Sequence, residues 1–542
     1  MASNMHVQGP QIHQFSHIQG QSVPRSSFKR DFTRRSTFNQ DYLIPIFLDE
    51  VLPGDEINLK MTAFTRMSTP VKPLMDNLYQ DSFFFFVPNR LVWPNWEKLQ
   101  GEQANPGDSV AYTIPRLNGT VAPMSTTGFA VESIFDYFGL PILVTGMSNG
   151  TTTPPISSLY NRAYDLIWNE WFRDENLQNS INIQTDDGPD NPANYVLRKR
   201  NKRKDYITSA LPWPQKGTAI TIPFGTSAPV SVTGATVGSP VNLSNSQLRM
   251  EYNSTTPTQG GRLVSGSTYS VSQTPTTLIN ATLNGTADLS AATAVTINAL
   301  RQAALYQQIL ELDARGGTRY VESIYSRFGV VSPDFRLQRP ELIGQGSSRI
   351  NIYAVPQTAP TVSGQTPQGN LAAFGTNIIQ GHGCSYAATE HGMIIGLMSV
   401  RADLTYQQGV PKMFSRQTRL DFYEPLLNGL GEQAITMGEL YATGTAADFN
   451  AWGYQERFAE YRFKNSEITG KFRSTAPTPL DVWHLSQKLV TPSLNSTFIE
   501  ENVPMSRVLA VATEPSFLMD ASFNYTHVRP MPIRSNPGID RL

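Results

Sequence analysis

Residues 57–65, Ile57-Asn58-Leu59-Lys60-Met61-Thr62-Ala63-Phe64-Thr65, decide the fold class. Ile57, Leu59, Met61, Ala63 and Thr65 alternate with polar neighbours, the two-residue period of a half-buried strand. Leu52-Pro53-Gly54-Asp55, just before, has the composition of a turn. Further upstream, Tyr42-Leu43-Ile44-Pro45-Ile46-Phe47-Leu48 reads as a strand whose proline demands an edge or a bulge, because Pro45 brings no N–H to a ladder. Downstream, Ser82-Phe83-Phe84-Phe85-Phe86-Val87-Pro88 is too short for a helix and rich in strand formers, so it reads as a strand buried on both faces. The longest apolar run, Met393 to Val400, falls well short of the ~18 residues a bilayer requires. It reads as another buried strand, and no membrane insertion is expected.

Helices are few. Residues 157–177 predict one, because Leu159, Tyr160, Ala163, Tyr164, Ile167, Trp168 and Trp171 recur at three- and four-residue steps behind Ser157 or Ser158 as cap. Residues 297–314 predict a second, with Leu305, Ile309 and Leu312 on one face and Gly316-Gly317 ending it. Val321, Ile324 and Phe328 suggest a short third. Residues 1–40 read as an extended arm that orders on a neighbour, with a frayed tail as the alternative for 1–20: a polar opening with His6, His13 and His17, then basic residues and scattered aromatics with no period. Residues 218–296 are dominated by Thr, Ser, Gly, Val, Asn and Pro, and read as a small β-rich excursion on the outside of the molecule.

Composition narrows the function. Charged residues make up 16% of the 542, against roughly a quarter in ordinary soluble domains. Depleted charge suits a surface much of which faces other protein. The 39 glycines and 38 prolines favour turns and long loops over helices. A net charge of −1 leaves a wrapped polyanion to be neutralised by something else, which implies a separate small basic partner. One cysteine, Cys384, excludes a disulfide framework within the chain and fits a reducing compartment. No basic start followed by an apolar block opens the sequence, so no secretory signal is expected, and Asn-x-Ser/Thr triplets such as those at Asn118, Asn253 and Asn284 carry no weight.

Catalytic patterns are missing. There is no phosphate loop and no helical pair of histidines around a glutamate, and Gly429-Leu430-Gly431 lacks the βαβ setting of a dinucleotide site. His382 and Cys384, with Glu390 and His391 following, are residue types that zinc uses, but their spacing matches no familiar site and plain structure is the preferred reading. No metal, cofactor or catalytic residue is expected. Asp186-Asp187-Gly188-Pro189-Asp190-Asn191 reads as a solvated acidic turn. The strongest electrostatic feature is Arg198-Lys199-Arg200-Asn201-Lys202-Arg203-Lys204. Six cations in seven residues repel one another and require an anionic partner. Nucleic-acid phosphate held by Arg198, Lys199, Arg200, Lys202, Arg203 and Lys204 is one reading. A solvated loop, or one paired with carboxylates of a neighbouring subunit, is the other. His527-Val528-Arg529-Pro530 with Arg534 is a weaker second candidate.

Long strings then add a resemblance. Tyr42 to Asp55, Asp76-Asn77-Leu78-Tyr79 with Asp81 to Trp93, Asn95-Trp96-Glu97-Lys98 with Gly101-Glu102, Asp205 to Gly217, and Gly344-Gln345-Gly346-Ser347-Ser348 together resemble the major capsid proteins of the gokushovirus branch of the Microviridae, the capsid F protein family. The stretch 218–296 matches poorly. The resemblance implies a mainly β fold: an eight-stranded antiparallel viral jelly roll with long inter-strand loop insertions and a few short helices, built from 41–217 and 297–542. It implies a structural protein, not an enzyme, that self-assembles as a homo-oligomer into a small T=1 icosahedral shell around circular single-stranded DNA. Residues 218–296 would be the variable insertion projecting near the three-fold axes and meeting a host surface receptor. Partners implied are a scaffolding protein, a small basic DNA-binding protein and a pilot protein; the setting is the virion, and the host cytoplasm during assembly. From the residues alone, a carbohydrate-active β-protein with paired carboxylates and a surface-layer subunit remain as competing classes.

Overall fold

The computed structural model describes residues 24–148, 153–218, 297–316, 320–329, 337–364 and 366–534. Contacts divide the chain into one unit of residues 1–216 with 311–542 and a second of residues 217–310. Of the second, the described part is 217–218 and the helical residues 297–310. The expected surface insertion at 218–296 therefore lies, beyond Thr218, outside the described residues.

The first unit is mainly antiparallel β. Its strands are β1 (Ser26–Lys29), β2 (Phe32–Phe38), β3 (Ile44–Val51), β4 (Glu56–Met67), β5 (Leu78–Pro88), β6 (Glu341–Pro356), β7 (Leu371–Ala387), β8 (Gly392–Ala402), β9 (Glu432–Thr436), β10 (Ala451–Glu456) and β11 (Phe517–Arg529). Nine of them form one sheet in the order β1-β11-β4-β7-β6-β5-β8-β3, with β2 also on β11; β9 and β10 pair apart. The long strand β6 makes the bend: its first half pairs with β5 up to Ile350, and its second half pairs with β7 from Asn351. The sheet thus curls so that both halves face one core.

Period explains the core. Along β4 every second residue is buried, from Ile57 to Met67; β11 alternates the same way from Phe517 to Tyr525. Their inward side chains meet Ile44, Ile46, Phe84, Phe86, Ile394, Met398 and Val400 from the other half of the sheet. The odd-numbered Phe85, Val87, Met393, Ile395 and Leu397 point to the opposite face, into a second core made with Trp93, Phe129, Phe135, Tyr164 and Ile167 from the connection after β5. Phe83–Val87 in β5 and the apolar run in β8 each have a core on both sides. Pro45 meets both of its alternatives: β3 ends the sheet, and its pairing with β8 slips between Pro45 and Phe47. Gly344 and Gly346 let β6 pass close over β7, since a Cβ at Gly346 would stand 2.5 Å from the His382 ring.

Two expectations change in detail. From Ser26 onward the segment read as an arm forms β1 and β2, both paired with β11 of the same chain. Phe32 stacks on Phe523 at 4.7 Å and Phe38 on Phe517 at 5.4 Å, so aromatic stacking holds the segment down. Residues 1–23 lie outside the described residues. The helix expected over 157–177 is shorter, Leu159–Ile167 with a wider π turn over Trp168–Phe172. It stops because the Asp174 carboxylate accepts the N–H groups of Asn176 and Leu177 that a helix would need. Helices over Ile297–Arg315 and Tyr320–Phe328 match the other two expectations.

Candidate functional site

The basic run is an extended, clamped strand of chain. The Leu43 N–H donates to the Arg198 carbonyl at 2.9 Å, Arg200 N–H to Asp41 at 2.7 Å, Lys202 N–H to Ile499 at 2.8 Å, and Glu501 N–H to Arg200 at 2.8 Å. The run is thus stitched between the entry to β3 and the segment before β11.

Its charges are largely matched within the subunit. Arg198 Nε lies 3.0 Å from Asp165 Oδ1. Arg200 donates to Asp81 at 2.5 Å, and Arg401 reaches the same carboxylate oxygen at 2.8 Å. Burial works against ionising Asp81, but Arg200, Ser347 and Arg401 outweigh it and hold its carboxyl below the usual range. Lys204 pairs with Asp174. Lys199 sits over the Tyr42 ring at 5.8 Å. Lys202 is buried, donating to the Phe498 carbonyl at 2.5 Å. Arg203 is exposed, and its guanidinium has no partner among the described residues. The mutual repulsion read from the sequence is relieved by aspartates distant in sequence, which spacing alone could not reveal.

Beneath the run lies an enclosed acidic pair. Burial pushes the Asp41 carboxyl up to about 7, with Glu501 adding to it. Burial likewise raises Glu501 to about 7 against the pull of Lys202, Arg200 and Arg401. Lys202 is lowered to about 8 by burial, opposed by Glu501, Asp205 and Asp41. These groups anchor the run.

The other motifs are also structural. His382 is held by Ser82 Oγ at 2.8 Å and Ser348 Oγ at 3.1 Å, whereas Glu390 pairs with Arg90. Burial raises the Cys384 thiol to about 12, far from a nucleophile's range. No group of three or more potential metal ligands occurs among the described residues. The acidic turn is not solvated throughout: Asp190 is fully buried, paired twice with the equally buried Arg162 at 2.6 and 2.7 Å and accepting from Tyr195 at 2.6 Å. Asp187 accepts from Trp93 Nε1 at 2.7 Å. His527 and Arg529 of the weaker basic candidate both bind Asp55, at 2.8 and 3.2 Å.

One surface feature escaped the sequence reading. Between β8 and β11 the chain displays Met413, Phe414, Leu420, Phe422, Leu426, Leu430, Phe449 and Phe463, with Leu426 90% and Phe449 83% exposed. These loops carry a small core of their own, in which Ile435, Leu440 and Trp452 pack with Tyr206 and Ile207. The exposed side chains are therefore surplus to it. The signal available was the density of aromatic and leucine residues in a stretch with no strand or helix period.

Comparison with known proteins follows the same direction. The family described as capsid protein (F protein) matches residues 16–539. The chain is 48% identical over 534 residues to capsid protein VP1 of Bdellovibrio phage phiMH2K, covering 96% of each chain. It is 39% identical over 608 residues to capsid protein VP1 of Chlamydia phage 1, and 36% identical over 567 residues to that of Spiroplasma virus 4, covering 100% of both chains in each case.

Proposed function

The chain belongs to the phage capsid protein (F protein) family, and from that premise we propose that copies of it close a small T=1 icosahedral shell, of the gokushovirus kind, around circular single-stranded DNA. It is a structural capsid protein of the virion, not an enzyme, and it works as a homo-oligomer. The observation that carries the assembly reading is the crowd of exposed apolar side chains from Met413 to Phe463. Apolar patches of this density mark protein contacts, and a patch that meets a different patch on the next copy builds closed rings. In this reading the curled sheet is a viral jelly roll and the long connections form the wall.

The finer parts of the proposal are these. Arg203 and Lys199 supply phosphate contacts to the packaged strand, while Arg198, Arg200, Lys202 and Lys204 fix the run in place. The near-neutral chain leaves most of the neutralisation to a small basic DNA-binding protein. A scaffolding protein and a pilot protein take part in assembly in the host cytoplasm. Residues 218–296 project near the three-fold axes and contribute to attachment to a host receptor. Electron microscopy of the purified protein tests the central part: uniform small spherical particles are expected, and a persistent monomer without closed particles would refute it. Deleting 218–296 is expected to spare folding and abolish infection; loss of soluble protein would assign that segment to the core.

A further inference from the structure

Beside the basic run opens a cleft of about 360 Å³ with an aromatic floor, within the size range (~300–1,000 Å³) that holds small ligands. Phe172 meets Phe83 edge-on with ring centroids 5.3 Å apart. The Trp171 indole is fixed by its Nε1, which donates to the Pro340 carbonyl at 2.8 Å, yet the side chain stays 37% exposed. The Arg200 guanidinium lies over the Phe83 ring at 5.2 Å. The lining carries five cations, Arg173, Arg200, Lys202, Arg203 and Lys204, against one carboxylate, Asp174. Arg200 and Lys204 are already matched by Asp81 and Asp174. Arg203, exposed on the rim, is not matched by any described residue.

Trp171 is partly covered: the Arg339 guanidinium, which is not part of the cleft lining, lies over its ring at 5.3 Å, and Phe85 packs against it at 5.6 Å. The part of the indole that lines the cleft, beside an unmatched guanidinium, fits a flat ring joined to an anion. Unpaired nucleotides have that form, and their bases stack on aromatic side chains whatever the sequence. A duplex does not, because its bases are already stacked on one another. We propose that this cleft takes one unpaired base of single-stranded DNA, stacked on Trp171, with the adjoining phosphate on Arg203. The proposal rests on the reading that the basic run faces DNA, and it sharpens that reading: recognition here is of the base as well as of the charge.

The test measures binding of the full-length protein to two probes of equal length, oligothymidylate and an abasic strand with the same sugar-phosphate backbone. The parent protein is expected to prefer oligothymidylate. Trp171→Ala is expected to weaken oligothymidylate binding about tenfold and to change abasic binding less than about twofold, while Trp171→Phe keeps most of the preference. Arg203→Gln is expected to weaken both probes and to lower the salt dependence by about one counterion. The parent's own preference between the two probes decides on the base even if Trp171→Ala fails to fold, and Arg203→Gln, at an exposed position, decides on the phosphate. A parent that binds both probes equally, or variants that bind as the parent does, would overturn the cleft. If neutralising Lys199 still weakened binding in that case, DNA contact by the basic run would survive without the cleft. A parent that binds neither probe would sink both readings.

Discussion

β8 and the loops that follow it use the same kinds of side chain to opposite ends. Gly392–Ala402 is buried along its whole length, Ile394 and Met398 in the core inside the sheet and Ile395 and Leu397 in the core outside it. Further along the chain, Phe414, Leu426, Leu430 and Phe449 are left in the open. The difference is what each stretch pairs with. The strand has ladder partners in β3 and β5 and a core on each face. The loops already have their own small core and have apolar surface to spare. Apolar content in this chain therefore builds the subunit in one region and, in the assembly reading, joins subunits in the other.

Truncation inside the sheet should have the largest effect. Phe84→Ala, at a fully buried position, is expected to cost about 3–5 kcal/mol of subunit stability, read from chemical denaturation; a loss under about 1 kcal/mol would deny that this core holds the fold. Breaking the Arg162–Asp190 pair should come close behind. Arg162→Ala leaves Asp190 buried without its cation, and about 3–5 kcal/mol is expected to be lost, with the connection after β5 becoming the first segment open to protease.

A smaller effect comes from the enclosed carboxylates. Asp41 and Glu501, raised to about 7 in the folded chain, bind protons there that the unfolded chain has released above its ordinary carboxylate range. Their contribution is thus present in acid and lost as pH rises through about 7. Lys202, lowered to about 8, acts the other way above that pH, because the folded chain gives up its proton before the unfolded chain does. Asp41→Asn should flatten the decline in stability between pH 5 and pH 7.5 relative to the parent (conditions chosen to bracket the folded carboxyl range). A decline as steep as the parent's would show that Asp41 does not titrate in this window. The smallest stability effect is expected at the exposed loops: Leu426→Ser with Phe449→Ser should change subunit stability by less than about 0.5 kcal/mol while preventing particle formation. A marked loss of stability would return these residues to the subunit's own fold.

The strands were legible wherever period and burial coincide. Ile57 to Thr65 shows its inward face directly, and Pro45 forecasts an edge or a bulge, of which the strand has both. The phenylalanine run at 83–86 announces burial on both faces because successive strand residues point to opposite faces and all four are apolar. The basic run was legible as a concentration of charge but not as a clamped segment. Its neutralising partners, Asp81, Asp165 and Asp174, lie 119, 33 and 30 positions away, and only folding brings them close. Trp171 reads as part of a helix stripe and Phe172 falls inside the same expected helix, so their place beside the cations is hidden until Asp174 ends that helix. Asp190 stood out only as part of an acidic turn, and its pairing with Arg162 carried no sequence signal, since a charged pair at that separation looks like two solvated residues.

The division between apolar surface that folds the subunit and apolar surface that joins subunits is tested most directly by hydroxyl-radical footprinting of side chains in intact particles and in the dissociated, folded protein. Phe414, Leu426, Leu430 and Phe449 should be strongly modified in the free subunit and protected in the particle, while Ile394 and Phe84 stay protected in both. Equal modification of the loop residues in the two states would mean that no neighbouring copy covers them, and would contradict the assignment of this surface to assembly.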